Sequence, residues 1–441
     1  MSFKRKRRGS LSNHFDLFVK PALFILYPSM QTTSSRSLSL MQVFLPFAGA
    51  YFLSYVMRTV NAVLSGPLTD EFSLTASELG LLSSGYFLTF AAMQIPLGAL
   101  LDRHSPRKVE IVLLMFAVAG CVISAFAQGF VALWIGRAMI GIGVSACLMA
   151  AYTTYRLCFR DEQQTSLASL MLMVGSFGAL AATLPVELLL PMLGWRGIFI
   201  LAALLFLLSV AGLLWVLPRL PEPPKATLPY WQDVSAGAKM VFTHPRVKRL
   251  IPLCIFTYGG FLAVQGLWIG PWLRTVEGQP AGQAATSLLI LGIVVMGSHM
   301  VMSWLGSRFP SWNISLDRVL LGGCSVMLLL TLCAVFDVWG NPIVGWSLMF
   351  MTTSVTAIIY AQTSLAFPVD MGGRANTSVN FIVFAGAFFM QWGLGVVVDL
   401  AMLAGQDNAQ GLKTAFICWI VAQVVALFWL FRSHRLEHRD Q

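Results

Sequence analysis

The chain is short of charge. Of its 441 residues, 11% are Asp, Glu, Lys or Arg and 57% are hydrophobic, where a soluble domain carries roughly 25% charged residues. A water-soluble globule is therefore excluded. The chain also lacks the Gly-x-x-x-x-Gly-Lys-[Ser/Thr] loop that cradles phosphates, which rules out ATP-driven work within this chain. No nucleophile–base arrangement stands out, so no enzyme is expected. Its seven cysteines lie mostly inside apolar runs, with no Cys-x-x-Cys pair or other metal-ligand spacing. They read as small buried hydrophobes, and neither a metal nor a cofactor is called for. The apolar runs do not alternate in polarity and are about twice the ~10 residues of a membrane-crossing strand, so a barrel is excluded too.

What is present is a series of apolar spans, each near the ~20 residues that cross a bilayer as a helix. Twelve can be drawn: 41–65, 77–101, 109–127, 130–157, 165–190, 195–217, 249–273, 282–306, 318–338, 341–367, 377–402 and 411–432. They predict an all-α polytopic membrane protein with two six-helix halves, 41–217 and 249–432. The segment 218–248 is Pro-rich and charged, falls at the midpoint, and reads as the linker between them. Residues 1–40 form a basic tail, expected to be disordered or to lie on anionic lipid, and 433–441 a second short tail.

The Lys and Arg residues sort by side. With the N-terminus in the cytoplasm, all but five of the 29 fall on the cytoplasmic side. Arg196, Arg274 and Lys413 fall outside, and Arg58 and Arg137 lie within the membrane. Asp70, Glu71 and Glu78 make the first external loop acidic. This asymmetry places both termini inside a plasma (inner) membrane. It also accounts for the net charge of +10 without nucleic acid.

One charged knot breaks the apolar pattern abruptly: Gly98-Ala-Leu-Leu-Asp-Arg-His-Ser-Pro-Arg-Lys108, between spans 2 and 3. Its Gly-x-Leu-x-Asp-Arg-x-x-Pro-Arg-Lys pattern resembles the loop between helices 2 and 3 of the major facilitator superfamily. Ser105 stands where that family usually has Gly. Gly136-Arg137-Ala-Met-Ile-Gly141-Ile-Gly143 in span 4 resembles the family's Arg-x-x-x-Gly-x-Gly, and Gly194-Trp-Arg-Gly-Ile-Phe199 matches at the turn into span 6. The resemblance covers about residues 41–432 and implies a secondary transporter working by alternating access. Gly98, Asp102, Arg103, Arg107 and Lys108 would then form a conformational gate, with Arg137 and Gly141 coupling it to the interior. The second-half counterpart, Gly306-Ser-Arg308-Phe-Pro310, is degenerate, so the latch is expected mainly in the first half.

Buried charge is the best guide to cargo. Arg58 lies about 17 residues, or ~26 Å, from the inner end of helix 1, and an ionisable group at that depth is a functional candidate by default. Arg58-Thr-Val-Asn61 resembles the Arg-x-x-Asn of anion:cation symporters in this superfamily, where the Arg binds the substrate's carboxylate or phosphate. In the family, helices 1, 4, 7 and 10 line the cavity. The residues that would face it are Tyr51, Tyr55, Arg58 and Asn61, then Tyr152, Tyr258, Gln265 and Tyr360. Helix 7 has no second buried cation, which favours a carboxylate. Proton coupling is left open, with His299, Glu187 and Asp399 as candidate carriers. The expectation is a monomeric transporter of a small organic anion. An exporter of hydrophobic metabolites and a non-transporting membrane sensor are the alternatives. The Arg pair argues against cationic cargo.

Overall fold

A long apolar segment in lipid can satisfy its backbone only by pairing it internally, as a helix does. The computed structural model describes residues 40–217, 229–306, 308–309, 311–367 and 372–437, and among these there is no strand. The expected N-terminal tail (but for Leu40), residues 218–228 of the linker and the last four residues lie outside them.

Among the described residues, eleven helices are long and apolar enough to cross a membrane. The remaining crossing is helix 5, Asp161–Ala181. Its apolar part, Ser166–Ala181, is shorter, because the polar run Asp161-Glu-Gln-Gln-Thr165 takes up its first turn. It turns at Ala182–Thr183 and resumes within Leu184–Trp215, which is divided again at Gly194. Gly194 has φ 64°, a left-handed conformation that a side chain resists. That turn separates helix 5 from helix 6.

Helix 1 runs Leu40–Thr59 and, after an interruption at Val60, Asn61–Phe72. Helix 2 is Ala76–Leu101 and helix 3 Pro106–Ala125. Helix 4 is Phe130–Gly143 and Cys147–Cys158. Helix 7 spans Pro245–Val276 and helix 8 Ala281–Gly306. Helix 9 is Leu316–Val335. Helix 10 runs Pro342–Thr352 and Ile358–Ser364, and helices 11 and 12 are Gly372–Leu403 and Asn408–Glu437.

Helices 1, 4, 7 and 10 share a feature that the plain spans drawn from sequence did not anticipate. Each is irregular near its middle. Helix 7 holds three π-helical stretches, Leu253–Gly259, Val264–Trp268 and Trp272–Val276, and helix 10 a 3₁₀ turn at Thr353–Ala357. Such irregularities re-aim side chains and collect at functional sites. The linker differs as well. Tyr230–Thr243 is a helix, contacting both helix 2 and helix 11.

Helices 2 and 11 pack side by side along their length. At one end a Cβ on Gly80 would meet the Gln391 carbonyl at 2.6 Å. In the middle the Phe90 and Phe384 rings lie 4.4 Å apart. At the other end Arg374 reaches Asp102. Small residues allow this approach, which supplies the packing that holds helices together in lipid. The end carrying Asp102 through Lys108 is called the basic face below, and the opposite end, with Asp70, Glu71 and Glu78, the acidic face.

Candidate functional site

Arg58 ends the first segment of helix 1, two residues before the interruption at Val60. Its guanidinium carbon sits 4.3 Å from the centre of the Tyr55 ring, 4.9 Å from Phe384 and 5.4 Å from Phe90. Two of those rings belong to the first six helices and one to helix 11. Its Nε has no hydrogen-bond partner, and among the described residues no carboxylate pairs with it. The aromatic faces attract the cation and the Tyr86 hydroxyl takes one hydrogen bond from it, but Nε is left open to an acceptor.

The tyrosines named from sequence gather around it. The Tyr51 hydroxyl donates to that of Tyr55 at 3.3 Å, with their rings edge to face at 5.1 Å. Helix 5 makes room for both through Gly175, where a Cβ would lie 2.8 Å from Tyr51 and 2.9 Å from Tyr55. Tyr152 comes within electrostatic reach of Tyr55. Tyr258 and Tyr360 pack edge to face at 6.2 Å and lie within reach of Tyr55 and Arg58. Helix 7 passes the Arg58 backbone at Gly266, beside the half-buried Gln265.

Asn61 does not join them. It is buried and donates to Ser83 Oγ at 2.8 Å, so it ties helix 1 to helix 2. Arg137 is 2% exposed and donates to the Met57 carbonyl at 2.9 Å, holding helix 4 to helix 1 next to Arg58. A Cβ on Gly141 would strike the Tyr86 carbonyl and the Thr89 hydroxyl, so its place is a close crossing of helices 2 and 4.

A polar chain crosses between the halves. The Tyr360 hydroxyl donates to Asn380 at 2.5 Å, Asn380 donates to Gln94 at 3.3 Å, and Gln94 donates to the Ser145 carbonyl at 3.3 Å. It links helices 10, 11, 2 and 4 directly beside the arginine.

At the basic face Asp102 pairs with Arg374 at 3.0 Å. Two cations of its own turn, Arg103 and Arg107, contact other groups. Arg103 lies over the Tyr230 ring at 5.3 Å, and Arg107 donates to the Leu213 and Leu214 carbonyls at 2.8 and 2.6 Å. Lys108 is exposed, and Gly98 has open space where its Cβ would be. Tyr230 of the linker helix donates to the Pro96 carbonyl at 3.0 Å. The Asp102–Arg374 ion pair joins the two halves and is not confined to the first, which corrects the expectation drawn from the degenerate second-half motif.

The three candidate proton carriers stand apart from Arg58. His299 is exposed on helix 8, its Nδ1 2.8 Å from the Val295 carbonyl. Helix 8 is apolar all round, so depth could be read from sequence but facing could not. Glu187 is half-buried in the continuation of helix 5. Asp399 accepts from the Ala76 and Ser77 amides at 3.0 and 2.9 Å, so helix 11 caps the N-terminus of helix 2. A carboxylate is stabilised there by the unpaired N–H groups and the helix dipole. Above it, at the acidic face, lies a cavity of about 870 Å³ bordered by Ser65, Asp70, Trp268, Arg274 and Asp399.

Comparison with known proteins decides the lineage. The sequence profile of the Major Facilitator Superfamily matches residues 47–391. The chain belongs to the major facilitator superfamily. It is a multi-pass secondary transporter of small molecules and not an enzyme. Among solved structures, this facilitator is similar to a bacterial homolog of the human lysosomal transporter Spinster, occupied and inward-facing. The TM-score is 0.73 at 16% identity, over 91% of this chain and 98% of that one. The nucleoside transporter NupG gives 0.67 at 14% identity over 89% and 99%. A D-xylose–proton symporter gives 0.67 at 17% over 89% and 97%. At these identities the likeness speaks to the fold of the transporter alone.

Proposed function

We propose that the protein carries a small organic carboxylate across the membrane by alternating access, with a proton as the co-transported ion. What supports the reading is Arg58. A half-buried guanidinium at mid-membrane without a counter-ion is costly. An arriving carboxylate removes that cost, and the planar guanidinium fork suits bidentate recognition. Hydrogen bonds to charged groups contribute roughly 1.5–3 kcal/mol each. The rings around the guanidinium come from both halves, so cargo bound there would be gripped by elements that separate when either face opens. Tyr51, Tyr55, Tyr152, Tyr258, Gln265 and Tyr360 shape the pocket, and one cation with no second beside it fits a carboxylate better than a phosphate.

The basic face is assigned to the cytoplasm by its excess of Lys and Arg. Both termini would then be cytoplasmic in a plasma (inner) membrane. Residues 41–217 would rock against 249–432 about the Arg58 pocket, with 218–248 as the connecting segment. Asp102, Arg103 and Arg107 would serve as the cytoplasmic latch with Arg374, and Asp399 as its counterpart at the other face.

The test is uptake into energised vesicles of radiolabelled lactate, benzoate, citrate and xylose together with a cationic dye. A carboxylate is taken up, and Arg58→Ala abolishes that uptake. Carboxylate uptake unchanged in Arg58→Ala would refute the anchor, and dye efflux without carboxylate uptake would establish an exporter instead.

A further inference from the structure

One buried acid takes no part in the site above. Glu110 lies about one turn into helix 3, on the face it shares with the buried Leu113, Leu114 and Ala117. It is 0% exposed, and its carboxylate oxygens find no hydrogen-bond partner beyond the weak donor of the Cys147 thiol. A carboxylate there has lost its water and gained only that thiol in exchange, so the species that fits the enclosure is the neutral acid.

Among the described residues no cation is shown acting on it. Helix 4 brings the Cys147 thiol beside it; Tyr155 of the same helix stacks on Phe44 of helix 1, Tyr152 lies toward Tyr55, and Arg156 is exposed. Helix 6, packed along helix 3, has no titratable residue between 197 and 217. Helix 2 ends in Asp102 and Arg103, directed to Arg374 and Tyr230. On its own helix, Arg107 is turned to the helix 6 carbonyls and Lys108 is exposed. Cys147 is acted on by both Glu110 and Arg58, so the acid and the anchor flank one stretch of helix 4, next to its interruption at 144–146.

We propose that Glu110 is a proton switch for the basic face, holding a proton while that face is shut and releasing it to water when helices 2 and 11 part there. This rests on the alternating access proposed above; the proton leaves and returns at the same face, so Glu110 sets when that face shuts and moves no net proton across the membrane. The acid O–H bond breaks, water takes the proton, and a carboxylate remains. A second proton neutralises it before the face shuts, because shutting over the charged form would bury a bare anion. Closure is thereby tied to proton occupancy, a few residues from the Asp102–Arg374 latch.

The test needs no substrate. The full chain is reconstituted in phosphatidylethanolamine–phosphatidylglycerol vesicles, and infrared difference spectra are taken between acidic and alkaline buffer. Glu110→Gln removes one protonated-carboxyl C=O band that the parent shows. Hydrogen exchange of residues 230–243, corrected for intrinsic rates, reads the basic face. In the parent their protection falls as pH rises, whereas Glu110→Gln keeps them protected throughout, with a melting temperature near the parent's. An unchanged set of carboxyl bands in Glu110→Gln, or the parent's pH dependence of protection retained in it, would overturn the proposal. Because neither readout involves cargo, failure of Arg58→Ala to affect carboxylate uptake would sink the anchor and leave this result standing.

Discussion

Substituting Asp102 by Asn tests how strongly the basic face is latched. Asp102 Oδ2 lies 3.0 Å from Arg374 Nη2, with the two side chains 55% and 33% exposed. At 4 Å two unit charges attract by only ~1 kcal/mol in water, and exposed ion pairs net about 0–1 kcal/mol once side-chain ordering is included. Losing at most ~1 kcal/mol shifts the shut-to-open ratio of that face by about fivefold or less. The latch is therefore a bias and not a lock, as a face that must open every cycle requires. The assay is hydrogen exchange of residues 230–243, whose helix contacts both helix 2 and helix 11. A double-mutant cycle of Asp102→Asn with Arg374→Gln isolates the pair. Raising salt should shrink the coupling, because exposed charges are screened. A coupling that is absent at low salt, or one that exceeds tenfold and ignores salt, would refute the reasoning.

Two further outcomes follow from the acidic face. Asp399→Ala removes the cap that helix 11 places on helix 2, a loss of about 0.5–2 kcal/mol, and should shift the resting population toward opening at that face; accessibility of thiol probes in the cavity near Trp268 checks this, and no change would count against it. Glu71 accepts from Arg196 and Trp195 at 2.9 and 2.6 Å, and its carboxyl is held below the ordinary range by the hydrogen bond from Arg196. Its folded value being the lower, the stability it lends is present above the usual carboxylate range and is lost as pH falls through that lowered value. The melting temperature in detergent should drop in acid more steeply for the parent than for Glu71→Gln, and parallel curves would contradict the assignment.

The crossings were legible in the sequence because lipid imposes one rule on every backbone group, and long apolar runs declare themselves. The gate was half legible. Asp102 and its basic turn could be seen, but its partner, Arg374, lies 272 residues away, and no local pattern announces such a pairing. Arg107 looked like that partner and instead ties helix 3 to helix 6. Glu110 drew no notice at the second position of the span drawn over 109–127, directly after Arg107 and Lys108. Helix 3 begins at Pro106, so Glu110 has already rotated onto the face of Leu113, Leu114 and Ala117. That i, i+3, i+4, i+7 spacing was the available signal. Arg58 and its tyrosines were legible as a stripe, whereas Asn61, across the interruption at Val60, turns to helix 2. The interruptions of helices 1, 4, 7 and 10 left no mark as plain as proline alone would give.

The central claim is that Arg58 holds the cargo's negative charge, and equilibrium binding tests it most directly. Purified parent, Arg58→Lys and Arg58→Ala proteins are titrated with the carboxylate that the uptake panel identifies, with Arg137→Lys as a control for packing. The account expects binding to be lost in Arg58→Ala and weakened in Arg58→Lys, which keeps the charge but not the fork. Carboxylate binding of parental strength in Arg58→Ala would contradict it.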